Sequence, residues 1–210
     1  MESYRIISSI KINGTEIVSQ INGLPIFERQ GSADGACGPY SLFITLKILG
    51  ELTKEDIDWP DEIKKSRCVY KFMGKIEKMK GLVVNGTVRI KLRKLIEENF
   101  KSKLNVLDSK LNNEELIAFV INELKEDRPT IVGVEFHDGG HWMVAVGYSM
   151  DEKEKPIKLL LIDPSGEEPT FSPWNSVIEI GRKRRGDYPY HWHTKGYNIS
   201  FDEALSVWRK

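Results

Sequence analysis

The chain has 210 residues, with 31 Lys plus Arg against 31 Asp plus Glu and 40% hydrophobic residues. It is long enough for one domain with a real core and too apolar for intrinsic disorder, and at zero formal net charge it has no bulk field to steer it toward nucleic acid or an anionic membrane. No run approaches the ~18 apolar residues of a membrane span, the N-terminus lacks the apolar core of a signal peptide, and two cysteines, Cys37 and Cys68, are too few for a disulfide scaffold and are expected to stay reduced.

In chain order, Arg5 to Ile12 and Thr15 to Ile21 read as a β-hairpin around Asn13-Gly14, a strong two-residue turn signal. Residues 22–36, punctuated by Gly, Pro and Asp, read as a loop. A helix then starts at Gly38-Pro39, where proline needs no donor, and stops at Gly50. Its apolar residues include Leu42, Leu46 and Leu49 at helical spacing. Residues 54–80 predict a short helix and a longer one over Asp61–Lys80. Further helices fit Thr87 to Phe100 and Asn113 to Lys125, the last with Leu116, Ile117, Val120 and Leu124 on one face.

The period then changes. Thr130–Phe136, His141–Ser149 and Ile157–Ile162 are short β-branched runs and predict an antiparallel meander. Residues 164–199 continue as strand and loop. Ser200-Phe201-Asp202-Glu203 has the form of a capping box and predicts a helix to Trp208. The expected organisation is one α+β domain over 1–210, made of a hairpin within 1–21, a mainly helical lobe over 22–128, an antiparallel sheet over 129–199 and a C-terminal helix over 200–210.

Cys37 sits where a Gly-rich loop meets an apolar helix. There the helix dipole and the free amides of the first turn favour thiolate, the nucleophilic form. Gly35 and Gly38 flank it and leave room for a substrate carbonyl. The other reading is a small apolar residue beside a helix cap. His141 follows Gly139-Gly140 and opens an apolar strand, so the glycines clear one side of it. Asp163 closes the next strand, so antiparallel pairing should bring it and His141 to one sheet edge. Read singly, His141 is a rim histidine and Asp163 an Asx-turn residue before Pro164. Gln30, seven residues before Cys37, is either a solvated loop residue or a donor to a developing oxyanion together with the Cys37 amide.

Gln30, Gly35-Ala36-Cys37-Gly38-Pro39 and Leu42, then Gly140-His141-Trp142 and Gly147-Tyr148, then Asp163-Pro164, resemble the papain-like cysteine peptidase superfamily. Within it the likeness is to the bacterial peptidases that remove double-glycine leaders and to their stand-alone relatives. The resemblance implies a helical lobe led by the Cys37 helix and packed on an antiparallel sheet that carries His141 and Asp163. It also implies a Cys37-His141-Asp163 triad, Gln30 as oxyanion donor, an acyl-thioester intermediate and a peptide or protein substrate. No cofactor and no metal are expected. The location implied is cytoplasmic, or exported without a Sec signal as an effector. The alternatives are a transferase or deamidase acting on protein amides, and a binding scaffold with a relict site.

Other residues carry weaker signals. His137 is the rival histidine, lying before the glycines rather than after them. Asp151 is the alternative third member. Gly140 and Trp142 are expected near substrate, and Trp142 and Trp174 are read either as cleft walls or as core. Cys68 reads as a packed thiol in mid-helix. Arg182 to Arg185 is a basic run, read as a solvated loop or an acidic-ligand contact. His191 and His193 form at most half a metal site.

Overall fold

Residues Ser3–Ile6 form strand β1, which leaves the expected hairpin and pairs instead with a strand far along the chain, Ile6 lying opposite Gly147. A side chain at Gly147 would overlap the Arg5 carbonyl and the Ile6 side chain, so glycine permits this close approach. The hairpin itself is shorter than expected. It joins β2 (Ile10–Asn13) to β3 (Glu16–Ser19), with Asn13 opposite Glu16 and Gly14 at φ +63° in the tight turn. The computed structural model describes residues 2–31, 35–65, 67–78 and 86–210. Within the expected loop 22–36, residues 32–34 therefore lie outside the described residues, as do Ser66, Met79 and Lys80 of the expected helix Asp61–Lys80.

Helix α1 (Cys37–Ile48) is buried at every residue except Tyr40. A helix buried all round belongs at the centre of a protein, and this one packs against the sheet, against β3 and against the helix that begins at Arg89. The helical lobe adds α2 (Lys54–Asp58), closed at its start by a Thr53–Asp56 capping box, a 3₁₀ turn at Pro60–Glu62, α3 (Cys68–Glu77), α4 (Arg89–Phe100) and α5 (Asn113–Lys125). The longer helix expected over Asp61–Lys80 thus begins later, because Pro60–Glu62 is a separate turn. Cys68 is the first residue of α3 rather than a mid-helix one. The lobe also holds a strand that periodicity did not suggest, β4 (Leu104–Ser109).

The remaining strands are β5 (Thr130–Phe136), β6 (Gly139–Met150), β7 (Pro156–Ile162), β8 (Ser176–Glu179), β9 (Tyr190–Trp192) and β10 (Tyr197–Arg209). All neighbours are antiparallel. The order β6-β5-β10-β9-β8-β7 returns to β6, so among the described residues six strands close into a barrel. β1 extends it beside β6 and β4 beside β10. The expected α+β class holds, while closure of the sheet was not foreseen. Met143 to Val146 are buried in succession, as in a strand covered on both faces. Apolar residues of the helices and the barrel form one continuous core.

The expected C-terminal helix is absent: residues 197–209 are strand β10. Ser200 to Glu203 do not cap a helix. A β-bulge falls between Phe201 and Glu203, and the Glu203 carboxylate pairs with Arg89 and Lys110. The segment from Ile199 to Val207 fills the slot between β5 on one side and β9 and β4 on the other. Two ladders of backbone hydrogen bonds and burial of Ile199, Phe201, Ala204, Leu205 and Val207 outweigh a local capping pattern.

Candidate active site

Cys37 is the first residue of α1, following Ala36, which makes no side-chain cap. The Tyr40 N–H donates to the Ala36 carbonyl at 3.1 Å as the first bond of the helix, and Pro39 has no N–H, so only the amides of Cys37 and Gly38 precede the intrahelical ladder. The thiol is largely buried at 7% exposure and faces a cleft of about 810 Å³. Gln30, Gly35, Gly140, His141 and Trp142 line the same cleft.

The register of β6 on β7 sets Val144 opposite Ile162, so the start of β6 and the end of β7 lie at one end of the pair. His141 and Asp163 meet there, with His141 Nε2 2.7 Å from Asp163 Oδ1. The His141 side chain also hydrogen-bonds Cys37. With Nε2 engaged by the carboxylate, Nδ1 is the nitrogen that remains for the sulfur. Burial pulls the His141 pKa down, but the hydrogen bonds and charges of Asp163 and Cys37 outweigh it and raise the value to about 9. Burial likewise raises the Asp163 pKa, and the His141 partner with the Ser165 amide and hydroxyl reverses this, leaving it below the usual carboxylate value. The Ser165 backbone N–H and Oγ–H each donate to Asp163 Oδ1 at 2.8 Å.

Gln30 enters the site through its backbone. Its N–H donates to the Pro164 carbonyl at 2.9 Å, which ties the loop before α1 to the residue after Asp163. Arg29 adds an ion pair to Glu167, and buried Lys47 of α1 pairs with Glu28. Three successive loop residues are thereby held to the barrel rim and to α1.

Gly38 does not border the cleft. A Cβ there would lie 3.1 Å from Thr87 Cβ and 3.4 Å from Trp142, so Gly38 is a packing position for the indole. Trp142 lies over Gly133 and donates from Nε1 to the Thr87 carbonyl at 2.8 Å. It is both core and cleft wall. Trp174 packs on Tyr4 and is not part of the cleft lining. His137 is 90% exposed, bonds its neighbour Asp138 and is not part of that lining. Asp151 accepts the Lys153 and Lys155 amides and closes the β6–β7 turn. In the basic run Lys183 pairs with Glu114 and Arg184 with Asn198, away from the cleft. His191 and His193 touch each other with ring centroids 4.8 Å apart. Among the described residues no group of three or more His, Cys, Asp or Glu side chains is arranged to hold a metal.

Sequence reasoning missed several residues. Glu135, Tyr188, Asp202 and Glu203 line the cleft, the last two because the segment had been read as a helix. Trp192 lies against the His141 ring, and Asn175 bonds the backbone of Asp163. A single Trp or Asn in a loop-rich stretch carries no spacing signal that would have found them.

Among the described residues no helix is long and apolar enough to cross a membrane. No curated protein matches the chain. The model of the Peptidase_C39 like family matches residues 12–176, a span that takes in Gln30, Cys37, His141 and Asp163. With well over half of its length matched, the chain belongs to the Peptidase_C39 like family, a placement consistent with the papain-like cysteine peptidase superfamily.

Proposed function

We propose that this protein is a cysteine peptidase of papain-like plan that hydrolyses peptide or amide bonds through Cys37, His141 and Asp163. The observation that carries the reading is the central position of His141, bonded to Asp163 on one side and to Cys37 on the other. An imidazole whose pKa is raised to about 9 is protonated at neutral pH and stands beside the sulfur as a counter-ion.

In the proposed reaction the Cys37 thiolate attacks the substrate carbonyl carbon. The negative charge moves to the carbonyl oxygen, where the Cys37 N–H and the Gln30 side-chain amide donate to it. The tetrahedral species collapses as His141 Nδ1–H passes its proton to the departing amine, leaving an acyl-thioester. Water then gives a proton to Nδ1 and attacks the thioester. Collapse releases the carboxylic acid product and restores thiolate and imidazolium. Asp163 remains ionised throughout and keeps the ring in place. The proposed substrate is a peptide or protein segment laid across the cleft, with Gly35 and Gly140 leaving room for its main chain.

The test is intact-mass labelling with a cysteine-directed epoxide probe near neutral pH, on the wild type and on Cys37→Ala. One adduct that forms much faster than on Cys68 and vanishes in the variant is expected. If Cys37 labels no faster than free cysteine, the proposal loses its basis. Peptide incubation with mass analysis then decides the reaction, since new termini mean proteolysis and a gain of about one dalton at Gln means deamidation.

A further inference from the structure

Strand β7 ends at Ile162, one residue short of Asp163, and its ladder with β8 ends with Leu161 opposite Ser176. Beyond that point the Asp163 backbone has no strand partner on the β8 side. The side chain of Asn175 takes the place of one. Its Oδ1 accepts the Asp163 N–H at 2.7 Å, and its Nδ2 donates to the Asp163 carbonyl at 2.9 Å. The Asn175 backbone N–H donates to the Leu161 carbonyl at 3.1 Å, so its own main chain is tied to β7 just past the end of the ladder. One residue thus adds a further rung made by a side-chain amide. That rung grips both polar groups of Asp163 and defines the backbone from which the carboxylate projects.

The same Nδ2 also donates to the Glu167 carbonyl at 2.9 Å, and the Gly166 N–H donates back to the Asp163 carbonyl at 3.1 Å. Together they close the turn from Asp163 to Glu167. A Cβ on Gly166 would lie 2.8 Å from Asn175 Nδ2, so glycine lets the amide sit flat against the turn. Within this turn Ser165 presents its N–H and Oγ–H to the Asp163 carboxylate, and Pro164 presents its carbonyl to the Gln30 N–H.

We infer that Asn175 is the positioning residue of the site: by clamping the backbone of Asp163 and closing the 163–167 turn, it aims the carboxylate at His141 and fixes the loop that carries Gln30. This rests on the proposed Cys37-His141-Asp163 reading and deepens it. Asn175 touches none of the reacting atoms and acts through Asp163. Neither Asp nor Gln replaces it. Asp lacks both donors and adds a negative charge beside carbonyl oxygens, and Gln is one methylene too long for a two-bond grip at these distances.

The experiment compares wild type, Asn175→Ala, Asn175→Asp and Gly166→Ala, with Asp163→Ala as reference. Two quantities are read. One is the rate of alkylation of Cys37 by iodoacetamide at pH 7 relative to Cys68 in the same molecule, followed by mass spectrometry of the peptides. The other is the titration of the His141 ring by NMR. Loss of aim is expected to lower the rate ratio about tenfold or more in Asn175→Ala and Asn175→Asp, as small displacements of reacting groups do. The His141 ring should titrate about one pH unit lower as its carboxylate partner is lost from alignment. Gly166→Ala, which removes no polar group, should move both readings the same way by a smaller amount. If Asn175→Ala does not fold, Asn175→Asp and Gly166→Ala decide the matter. A lower melting temperature with an unchanged rate ratio and an unchanged His141 titration would reduce Asn175 to a support for β8 and overturn the inference. If Asp163→Ala itself leaves both readings unchanged, the triad reading has failed and takes this one with it.

Discussion

The ring of His141 lies nearly parallel to the indole of Trp192, with centroids 5.5 Å apart and 21° between the planes. Trp192 is itself buried and held by a hydrogen bond from its Nε1 to Ser176 Oγ at 2.6 Å. The indole face is electron-rich, so it attracts the charged ring more than the neutral one, by about 1–2 kcal/mol where solvent is excluded. Replacement by Leu should therefore lower the His141 pKa by about one unit, and replacement by Phe by less. NMR titration of the two variants checks this against their common loss of volume. Equal His141 pKa values in wild type and Trp192→Leu would leave the contact with packing as its only role.

His141→Ala is expected to lower kcat by at least ~10³-fold, since members of such a set act as a unit. His137→Ala should change it by less than about twofold, because an exposed side chain bonded only to its neighbour does not reach the cleft. Steady-state kinetics on one peptide substrate settles the ranking. The reverse order would assign the chemistry to the wrong histidine.

Asp163 and Cys37 together hold the His141 pKa up, and a pH dependence of stability follows. The folded-state pKa of His141 is about 9 against an ordinary value of 6.5, so folding takes up a proton between these limits. The resulting stabilisation is complete below about pH 6.5 and is lost as pH rises through about 9, on the order of 3 kcal/mol in all. Urea midpoints of the wild type should fall over that window, and those of Asp163→Ala should stay nearly flat. Activity should rank wild type, then Asp163→Asn, then Asp163→Ala, because Asn keeps an oriented hydrogen bond but not the charge. The alkaline limb of kcat/KM should move to lower pH in Asn. Equal impairment of the two variants with unmoved pH limits would make Asp163 a turn residue.

Gln30→Ala is expected to lower kcat by ~10²–10³-fold with KM nearly unchanged, the signature of a donor that serves the oxyanion and not the ground state. The Gln30 backbone bond to Pro164 survives this substitution, so the loop should hold its course. An effect confined to KM would assign Gln30 to substrate binding.

The parts of this protein that were legible in its sequence are those whose period matches their burial. Asn113–Lys125 was read with its observed bounds because one face is apolar and the other is not. Thr130–Phe136 also agrees, bounded by Pro129 before it and Asp138 to Gly140 after it. Cys37, His141 and Asp163 stood out because each sits where an element begins or ends. The strand at 197–209 was illegible for the opposite reason. Barrel and helices cover it on both sides, so Ala204 to Val207 are buried without alternation, and a bulge breaks the period at Phe201. β4 is a short segment of mixed polarity without clean alternation, paired with the second half of β10 and packed on α4. Gly38 was misread because a glycine beside a nucleophile serves packing as well as access, and only the position of Trp142 distinguishes them.

Strand β10 lies beyond His141 and Asp163 in the chain, yet in space it is the stave that joins β5 to β9. During synthesis, Cys37, His141 and Asp163 are all joined to the chain before this stave. Until Tyr197–Arg209 emerges, β5 and β9 have raw edges and Trp192 has no strand on its far side. The proposed set of Cys37, His141 and Asp163 is therefore brought together only at long sequence separation, a topology that folds slowly. Chains truncated at Gly196 should label at Cys37 no faster than at Cys68, which ties the onset of chemistry to completion of the barrel.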